Sequence, residues 1–542
     1  MTEASRNRTR IAGLGVSALF VVLAGKAGYL ALAGGDGPVR AAHHQEAAKS
    51  LRADIVDRNG EQLATSVSVY SLVANPKLIW DPHEVAVTVK TVLPDIDVEE
   101  LTRELSDDSR EFVWVERGLT PRERKAVFDL GLEGLRFEEE ISRAYPRGTL
   151  AGHVLGFTNV DGVGAGGVEY TQDKRLAAGG EPLRLTIDNG VQSAVEAELS
   201  AAAAEHDAVG GAAILLDAQT GEIRAMASWP PFDPNRALDI PKEDPSRLNR
   251  AIGAVYELGS VFKPLTVAAA IETGAVHPKE LFDVRHPMEI RGYTIEDDHP
   301  FYGDADVTQI ISKSSNIGTV RINEKLGPRR QRAFLETAGL LNRAKVELGG
   351  SEAPILPERF DDLYSATVSY GHGIAVSPLA FLSAFSAFAN NGEKVQPTLI
   401  AGTQDRERVR VMSALTAEMV NVMMREAVVE GTGKNAEVAG YRVAGKTGTA
   451  EKPIVGGYDE DRNVTSFAAI FPYDRPQYAL IVTFDDPKAG TEEGATAAYN
   501  AAPTAGRIIE RVAPLLGLAP RFEDIRPAGA PLRSSQEKRS SL

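Results

Sequence analysis

Three short polar motifs, far apart in the chain, constrain this fold more than any other feature of the sequence. They are Ser260-Val-Phe-Lys263, Ser314-Ser-Asn316 and Lys446-Thr-Gly-Thr449. Together they contain a serine nucleophile, a lysine one helical turn away to take its proton, and a Ser/Asn pair to relay protons and hold an amide. These groups form one site only if the fold brings the three segments together.

The first motif predicts a serine activated by a lysine. Ser260 follows Gly259 and opens an apolar helix, and Lys263 projects from the same face three residues later. A lysine acts as a base only if burial and nearby positive charge lower its pKa, so we expect Lys263 to be partly buried with Lys446 beside it. The alternative is a helix cap with a solvated lysine.

Another Ser-x-x-Lys string, Ser535-Gln-Glu-Lys538, lies in a polar tail without apolar periodicity, and we interpret it as inert.

The second motif predicts a proton relay and an amide-binding group. Ser314 is suited to relay a proton to a leaving amine, and Asn316 is suited to orient the substrate amide. The alternative function for this Ser/Asn run is a helix N-cap.

The third motif predicts a carboxylate site on a strand. Lys446 with Thr447 or Thr449 suits a terminal carboxylate, and Gly448 leaves room for substrate to pair along the strand edge. The backbone N–H groups of Ser260 and Thr449 are the predicted oxyanion hole.

Composition and context argue against several other classes of protein. The chain has no cysteine, which excludes disulfides, thiolate metal sites and iron–sulfur clusters, and its net charge of −16 argues against a nucleic-acid partner. Residues 440–447 match a phosphate-loop pattern but no helix follows, and 162–167 fit a dinucleotide pattern without a βαβ unit. Residues 296–299, Glu-Asp-Asp-His, could suggest a metal site, but they lack paired ligands at helical or loop spacing, and we predict that they form a solvated acidic loop. We therefore predict no metal and no cofactor.

The N-terminus predicts a membrane anchor. Arg6, Arg8 and Arg10 precede an apolar stretch, 11–33, which is long enough to cross a bilayer. The arginines predict a cytoplasmic tail (1–10) and an exported main body. The alternative is a cleaved signal peptide, because Ala31-Leu-Ala33 fits a cleavage site.

The remaining chain predicts an α+β protein with two units. Residues 34–51 are predicted to be a juxtamembrane linker, 52–185 a non-catalytic module, 186–517 the catalytic domain and 518–542 a disordered tail. Strands are predicted at 212–217, 222–228, 441–449, 465–471 and 477–484, with helices at 189–206 and 498–516. Strands at both ends of the domain predict a five-stranded antiparallel sheet flanked by helices, with an all-helical insert.

In these motifs the chain resembles the class B penicillin-binding proteins, and in particular their division-specific transpeptidases, over roughly residues 5 to 515. Further matches are Asp57-Arg-Asn-Gly60, 153–161, Gly167-Val-Glu169, Leu185-Thr-Ile-Asp188 and Val376-Ser-Pro378. The sequence departs from the family at Ala53, at Leu258 and at the variable position His372.

The resemblance implies a single inner-membrane helix, a periplasmic pedestal (dimerisation-like) domain and a transpeptidase domain. It also implies peptidoglycan stem peptides as substrates, 4→3 cross-linking at the septum, and β-lactams as inhibitors. Implied partners are an FtsW-type glycosyltransferase and other divisome membrane proteins. The alternatives are an elongation-specific transpeptidase, a D,D-carboxypeptidase, a β-lactamase, and an inactive scaffold or β-lactam sensor.

Overall fold

The computed structural model describes residues 51–403, 405–454, 457–488 and 495–522. The predicted cytoplasmic tail, membrane helix and nearly all of the linker lie outside these residues, as does most of the predicted disordered tail. Residues 518–522 of that tail are described, and they pack on the catalytic domain, where the Arg521 N–H donates to the Gly440 carbonyl at 2.8 Å. Within the described part of the chain, no helix combines the length and the apolar character that a membrane crossing requires.

The first sheet is built around one long strand. Its members are β1 (Ile55–Val56), β2 (Gln62–Ala74), β3 (Val113–Leu119), β4 (Leu135–Ala144) and β5 (Leu183–Arg184). Strand β2 pairs antiparallel with β1, β3 and β4, and β1 pairs parallel with β5. The β1–β2 hairpin turns at Gly60, whose φ of +92° is the left-handed conformation that the Asn59-Gly60 pair predicts.

Six short helices belong to the described part of this first unit, and the first three of them pack on the sheet. They are α1 (Pro82–Lys90), α2 (Val98–Leu105), α3 (Pro121–Asp129), α4 (Gly152–Leu155), α5 (Gly167–Thr171) and α6 (Asp173–Ala177). The segment between α1 and α2 contains Pro94, which disfavours a continuous helix. Asp97 caps α2 by accepting a hydrogen bond from the Glu100 N–H.

A buried ion cluster joins the beginning of the described chain to the end of this first unit. The Glu169 side chain is fully buried, and its two oxygens accept from Arg52 Nε and Arg143 Nε, each at 2.6 Å. Arg52 also donates to Asp173 at 2.7 Å. A buried carboxylate is tolerated only when its charge is compensated, so this cluster fixes α5 against β4.

The second unit begins with helix α7 (Asn189–Glu205). Two strands of its sheet follow, β6 (Gly210–Asp217) and β7 (Ile223–Trp229). A long insert follows. Its helices are α8 (Arg250–Gly253), α9 (Lys263–Glu272), α10 (Val307–Ser312), α11 (Asn316–Leu326), α12 (Pro328–Ala338), α13 (Asp362–Ser369), α14 (Pro378–Phe385) and α15 (Ala414–Val429).

The prediction of an all-helical insert is wrong. The insert also contains three two-stranded ribbons, which pair β8 (Leu281–Asp283) with β11 (Asp304–Asp306), β9 (Met288–Ile290) with β10 (Tyr293–Ile295), and β12 (Glu393–Val395) with β13 (Arg408–Arg410). Strands of three residues are too short to show an alternating pattern. The β9–β10 turn uses Arg291 and Gly292, both with positive φ, and only the glycine signals such a turn in the sequence.

The chain then returns to the sheet with β14 (Ala444–Ile454), β15 (Gly457–Phe471) and β16 (Tyr478–Asp485), and it closes with α16 (Ala501–Leu515). The strand order is β14-β15-β16-β6-β7, antiparallel throughout. One face packs on α7 and α16, and the other packs on the insert helices, including α9 and α14. This order leaves β14, which carries Lys446, at a sheet edge beside the insert.

The ion cluster supports a stability prediction. Replacing Glu169 by Gln leaves two buried guanidinium groups without their shared counter-charge, and we expect a loss of about 3–5 kcal/mol in unfolding free energy. Denaturant unfolding of the full chain in detergent, followed by tryptophan fluorescence, measures the change. The control is Asp129→Asn, because Asp129 pairs with Lys125 in an exposed ion pair and should matter by less than about 0.5 kcal/mol. Equal effects of the two variants would contradict the proposed importance of the buried cluster.

Candidate active site

Ser260 lies in a tight turn that leads directly into a buried helix. The turn is a 3₁₀ segment, Gly259–Phe262, and α9 starts at Lys263. Val261 and Phe262 are buried, whereas Ser260 is half-buried, so the turn is anchored while its serine remains accessible. Gly259 has a φ of +58°, and its N–H donates to the Gly371 carbonyl at 3.2 Å.

Lys263 is completely enclosed by the catalytic domain. Its Nζ donates to the carbonyl oxygen of Ser314 at 2.5 Å and to the Ser314 hydroxyl at 3.1 Å. Burial lowers the pKa of Lys263 to about 7, and the negative charges of Asp297 and Asp298 oppose this shift. An amine with such a pKa is substantially neutral at physiological pH and can therefore accept a proton.

The structure brings Ser260, Lys263 and Ser314 into one region, but the hydroxyl of Ser260 makes no side-chain hydrogen bond within the described residues. The Lys263 amine contacts Ser314 instead. Hydrogen bonds between a nucleophile and its base often tighten only in the substrate complex. The sequence prediction of partial burial underestimates the enclosure of Lys263, and burial is the largest cause of its lowered pKa.

Ser314 and Asn316 lie at the junction between α10 and α11. Ser314 has a φ of +65°, an unusual value for a residue with a side chain, and this conformation presents both its carbonyl and its hydroxyl to Lys263. Asn316 is the first residue of α11, and its Nδ2 donates to the Glu296 carbonyl at 2.8 Å. Thus Ser314 contacts another predicted site residue, whereas the amide nitrogen of Asn316 is held by the neighbouring loop.

Asp297, which lies in the segment predicted to be a solvated acidic loop, anchors this junction. Its Oδ1 accepts from the N–H groups of Asn316 and Ile317, and its Oδ2 accepts from the Ser315 hydroxyl at 2.7 Å. Ser315 in turn caps α11 by accepting from the Gly318 N–H. The sequence offers no local signal for this role, because Asp297 lies almost twenty residues before the helix that it caps.

Lys446, Thr447 and Gly448 are buried on the edge strand β14. The Lys446 Nζ donates to the Thr447 carbonyl at 3.1 Å and to the Thr447 hydroxyl at 3.3 Å. Burial lowers the pKa of Lys446 well below its ordinary value, and the positive charge of Lys263 lowers it further. A carboxylate bound at this position would stabilise the ammonium form of Lys446 and so oppose both effects.

Gly448 allows two parts of the protein backbone to meet. A Cβ atom at Gly448 would lie 2.2 Å from the carbonyl oxygen of Leu258, directly before the Ser260 turn. The sequence predicts that Gly448 makes room for substrate, but the close neighbour in the structure is the nucleophile turn itself. A Cβ at Gly259 would likewise lie 2.6 Å from the Thr449 carbonyl. These glycines therefore set the distance between the first and third motifs.

Three further residues lie beside the site, and the three motifs do not include them. Glu257, three residues before Ser260, accepts from the Tyr458 hydroxyl at 3.2 Å, and burial raises its pKa to about 7. The ring of His372 lies 5.8 Å from that of Tyr458. Burial lowers the pKa of His372 to about 4, with a further contribution from the charge of Lys263. His372, which departs from the family pattern, is thus close to the lysine base.

Comparison with known proteins assigns the two units. A family model for the penicillin-binding protein dimerisation domain matches residues 47–179, and one for the penicillin-binding protein transpeptidase domain matches residues 211–510. The second match contains all eight predicted site residues, which are Ser260, Lys263, Ser314, Asn316, Lys446, Thr447, Gly448 and Thr449.

Named relatives match over nearly the whole length. The chain is 39% identical over 513 residues to the probable peptidoglycan D,D-transpeptidase FtsI of Caulobacter vibrioides, covering 91% of this chain and 86% of that protein. It is 30% identical to the peptidoglycan D,D-transpeptidase FtsI of Escherichia coli, with coverages of 90% and 87%.

A solved structure supports the same assignment. The crystal structure of penicillin-binding protein 3 from Mycobacterium tuberculosis, complexed with aztreonam, aligns with a TM-score of 0.69 at 27% identity and covers 88% of this chain and 98% of that one. Agreement over both domains, in sequence and in fold, shows that this chain belongs to the penicillin-binding proteins, as a class B member of the FtsI-like peptidoglycan D,D-transpeptidases.

Proposed function

We propose that this chain cross-links peptidoglycan stem peptides through a Ser260 acyl-enzyme during septal wall synthesis, and that β-lactams acylate the same serine. The observation that carries the proposal is the enclosed Lys263 amine, one helical turn from Ser260 and hydrogen-bonded to Ser314. The D,D-transpeptidase names of the relatives support an amine rather than water as the acyl acceptor.

Acylation follows from this arrangement. Neutral Lys263 takes the proton of the Ser260 hydroxyl while Oγ bonds to the carbonyl carbon of the penultimate D-Ala. The C–N bond to the terminal D-Ala breaks, and the leaving amine receives a proton from Lys263 through the Ser314 hydroxyl. The N–H groups of Ser260 and Thr449 are proposed to stabilise the negative charge on the carbonyl oxygen.

The remaining motif residues orient the substrate. Lys446, Thr447 and Thr449 are proposed to bind the terminal carboxylate, and Asn316 the peptide amide. In the second half-reaction the side-chain amine of a neighbouring stem attacks the ester. A new amide bond forms, the C–O bond to Ser260 breaks, and the proton lost by the amine returns to the serine oxygen.

We also propose a single-pass inner-membrane location. The apolar stretch 11–33 and the preceding arginines favour a cytoplasmic N-terminus and a periplasmic catalytic domain. The proposed partners are an FtsW-type glycosyltransferase and other divisome membrane proteins. The glycosyltransferase would supply the glycan strands that carry the stem peptides.

The nucleophile assignment has a direct test. A fluorescent penicillin should label the full chain in detergent and remain bound, because the acyl-enzyme is proposed to hydrolyse slowly. Ser260→Ala should abolish the label, and Ser535→Ala, which removes the serine of the other Ser-x-x-Lys match, should leave it unchanged. A label that disappears within seconds would instead identify a β-lactamase, and a folded wild-type chain that takes no label would contradict the proposed function.

The acidic loop at 296–299 predicts the direction in which the pH profile of acylation should shift when its charges are removed. Because Asp297 and Asp298 raise the pKa of Lys263, replacing either by Asn should move the midpoint of the acylation pH profile to lower pH. Asp297→Asn also loses the anchoring of α11, so its maximal acylation rate should fall about tenfold. Asp298→Asn is the matched control, because Asp298 is exposed and should change the maximal rate by less than about twofold.

Stopped-flow acylation by a chromogenic β-lactam between pH 5.5 and 9 measures both quantities. A midpoint that moves to higher pH in either variant would contradict the electrostatic account. Equal maximal rates for the two variants would contradict the anchoring role of Asp297.

A further inference from the structure

Thr432 lies between the end of α10, which precedes the second motif, and the third motif, and neither motif includes it. It follows the end of α15, and its backbone N–H donates to the Ser312 carbonyl at 3.3 Å. A Cβ atom at Gly431 would lie 2.1 Å from the same carbonyl oxygen. The glycine therefore lets the chain approach the last residue of α10, and this contact fixes the position of Thr432.

The side chain of Thr432 contacts the third motif. Its hydroxyl oxygen lies 2.6 Å from the hydroxyl oxygen of Thr447, and the Lys446 Nζ donates to it at 3.4 Å. Thr432 thus joins two of the residues that the proposed function assigns to the substrate carboxylate.

The hydrogen bond between the two hydroxyls can run in either direction. The Lys446 Nζ donates to both oxygens, at 3.4 Å to Thr432 and at 3.3 Å to Thr447, so it does not favour one direction. Each hydroxyl has one proton to give, and a carboxylate only accepts. A carboxylate bound beside Thr447 therefore selects the arrangement in which Thr447 donates to the ligand and Thr432 donates to the Thr447 oxygen.

We propose that Thr432 is a positioning residue for recognition of the substrate's terminal carboxylate, acting by orienting the Thr447 hydroxyl and the Lys446 ammonium. The inference rests on the proposed function and adds to it a residue that governs substrate binding. A merely structural role, in which Thr432 only ends α15, predicts instead that its loss affects every substrate alike.

Two thioesters separate these possibilities. Both are N-acyl-D-alanyl thioesters; one has a leaving group that ends in a carboxylate, and in the other that carboxylate is a primary amide. The Ser260 oxygen bonds to the acyl carbon, the C–S bond breaks and the thiol leaves with a proton. Because both thioesters give the same acyl-enzyme, any difference between them arises before deacylation.

The variants are Thr432→Val, which keeps the shape but removes the hydroxyl, and Thr432→Ser, which restores a hydroxyl. Thr416→Val is the control, because Thr416 lies on α15, the helix that precedes Thr432, and its hydroxyl donates to Glu272 away from the site. The full chain in detergent is used, and thermal unfolding checks that each variant is folded.

Thr432→Val should raise KM for the carboxylate thioester about tenfold, the loss expected for one hydrogen bond to a charged group, with kcat within about twofold. KM for the amide thioester should not change, and Thr432→Ser should restore the wild-type preference. Thr416→Val should leave the ratio of the two KM values unchanged.

Each other outcome has a definite meaning. Equal losses on both thioesters, or a Thr432→Val protein indistinguishable from wild type, would overturn the assignment of Thr432 while the proposed function stands. If the wild-type chain cleaves neither thioester, the proposed function fails, and the role of Thr432 fails with it.

Discussion

The catalytic domain depends on one unfavourable interaction, the enclosure of the Lys263 amine. Lowering its pKa from 10.5 to about 7 corresponds to roughly 5 kcal/mol of stability lost at neutral pH and below. The sign follows from proton binding: the unfolded lysine stays protonated up to pH 10.5, so stability rises with pH between about 7 and 10.5. The packing of α9 against the sheet and the hydrogen bonds to Ser314 hold the amine in place. In return, a neutral base is available beside Ser260 at physiological pH.

The three motifs converge because backbone segments approach one another more closely than side chains would allow. The edge position of β14 places it beside the Ser260 turn, and the contact of Gly448 with the Leu258 carbonyl brings the two into register. A Cβ atom at Gly371 would lie 2.1 Å from the Gly259 carbonyl. The turn is thus enclosed by glycines on two sides. A larger residue at any of these positions would move Ser260 relative to Lys446, and the site would lose its geometry without losing a catalytic group.

Sequence reasoning predicted the parts of this protein that local patterns encode. The catalytic strands agree with prediction to within a few residues, apart from the extension of β14 and β15 into a longer hairpin. Ser260 lies in a 3₁₀ turn that leads into the predicted helix, which begins at Lys263 rather than at the serine. Partners distant in sequence were not predictable. Asp297 holds a helix that begins nineteen residues later, Thr432 contacts a strand residue fifteen positions away, and Glu169 pairs with Arg52 across a whole domain. None of these contacts leaves a periodic or spacing signal, because the fold alone creates them.

The pH dependence of wild-type acylation tests the central claim most directly. The second-order rate constant for a neutral acyl-D-alanyl ester should rise with pH and level off, with a midpoint near 7, because only unprotonated Lys263 can take the serine proton. Lys263→Arg, whose side chain stays charged, should show almost no acylation across the range. A wild-type profile that is flat between pH 6 and 9, or one whose midpoint lies near 10, would contradict the conclusion that burial makes Lys263 the base.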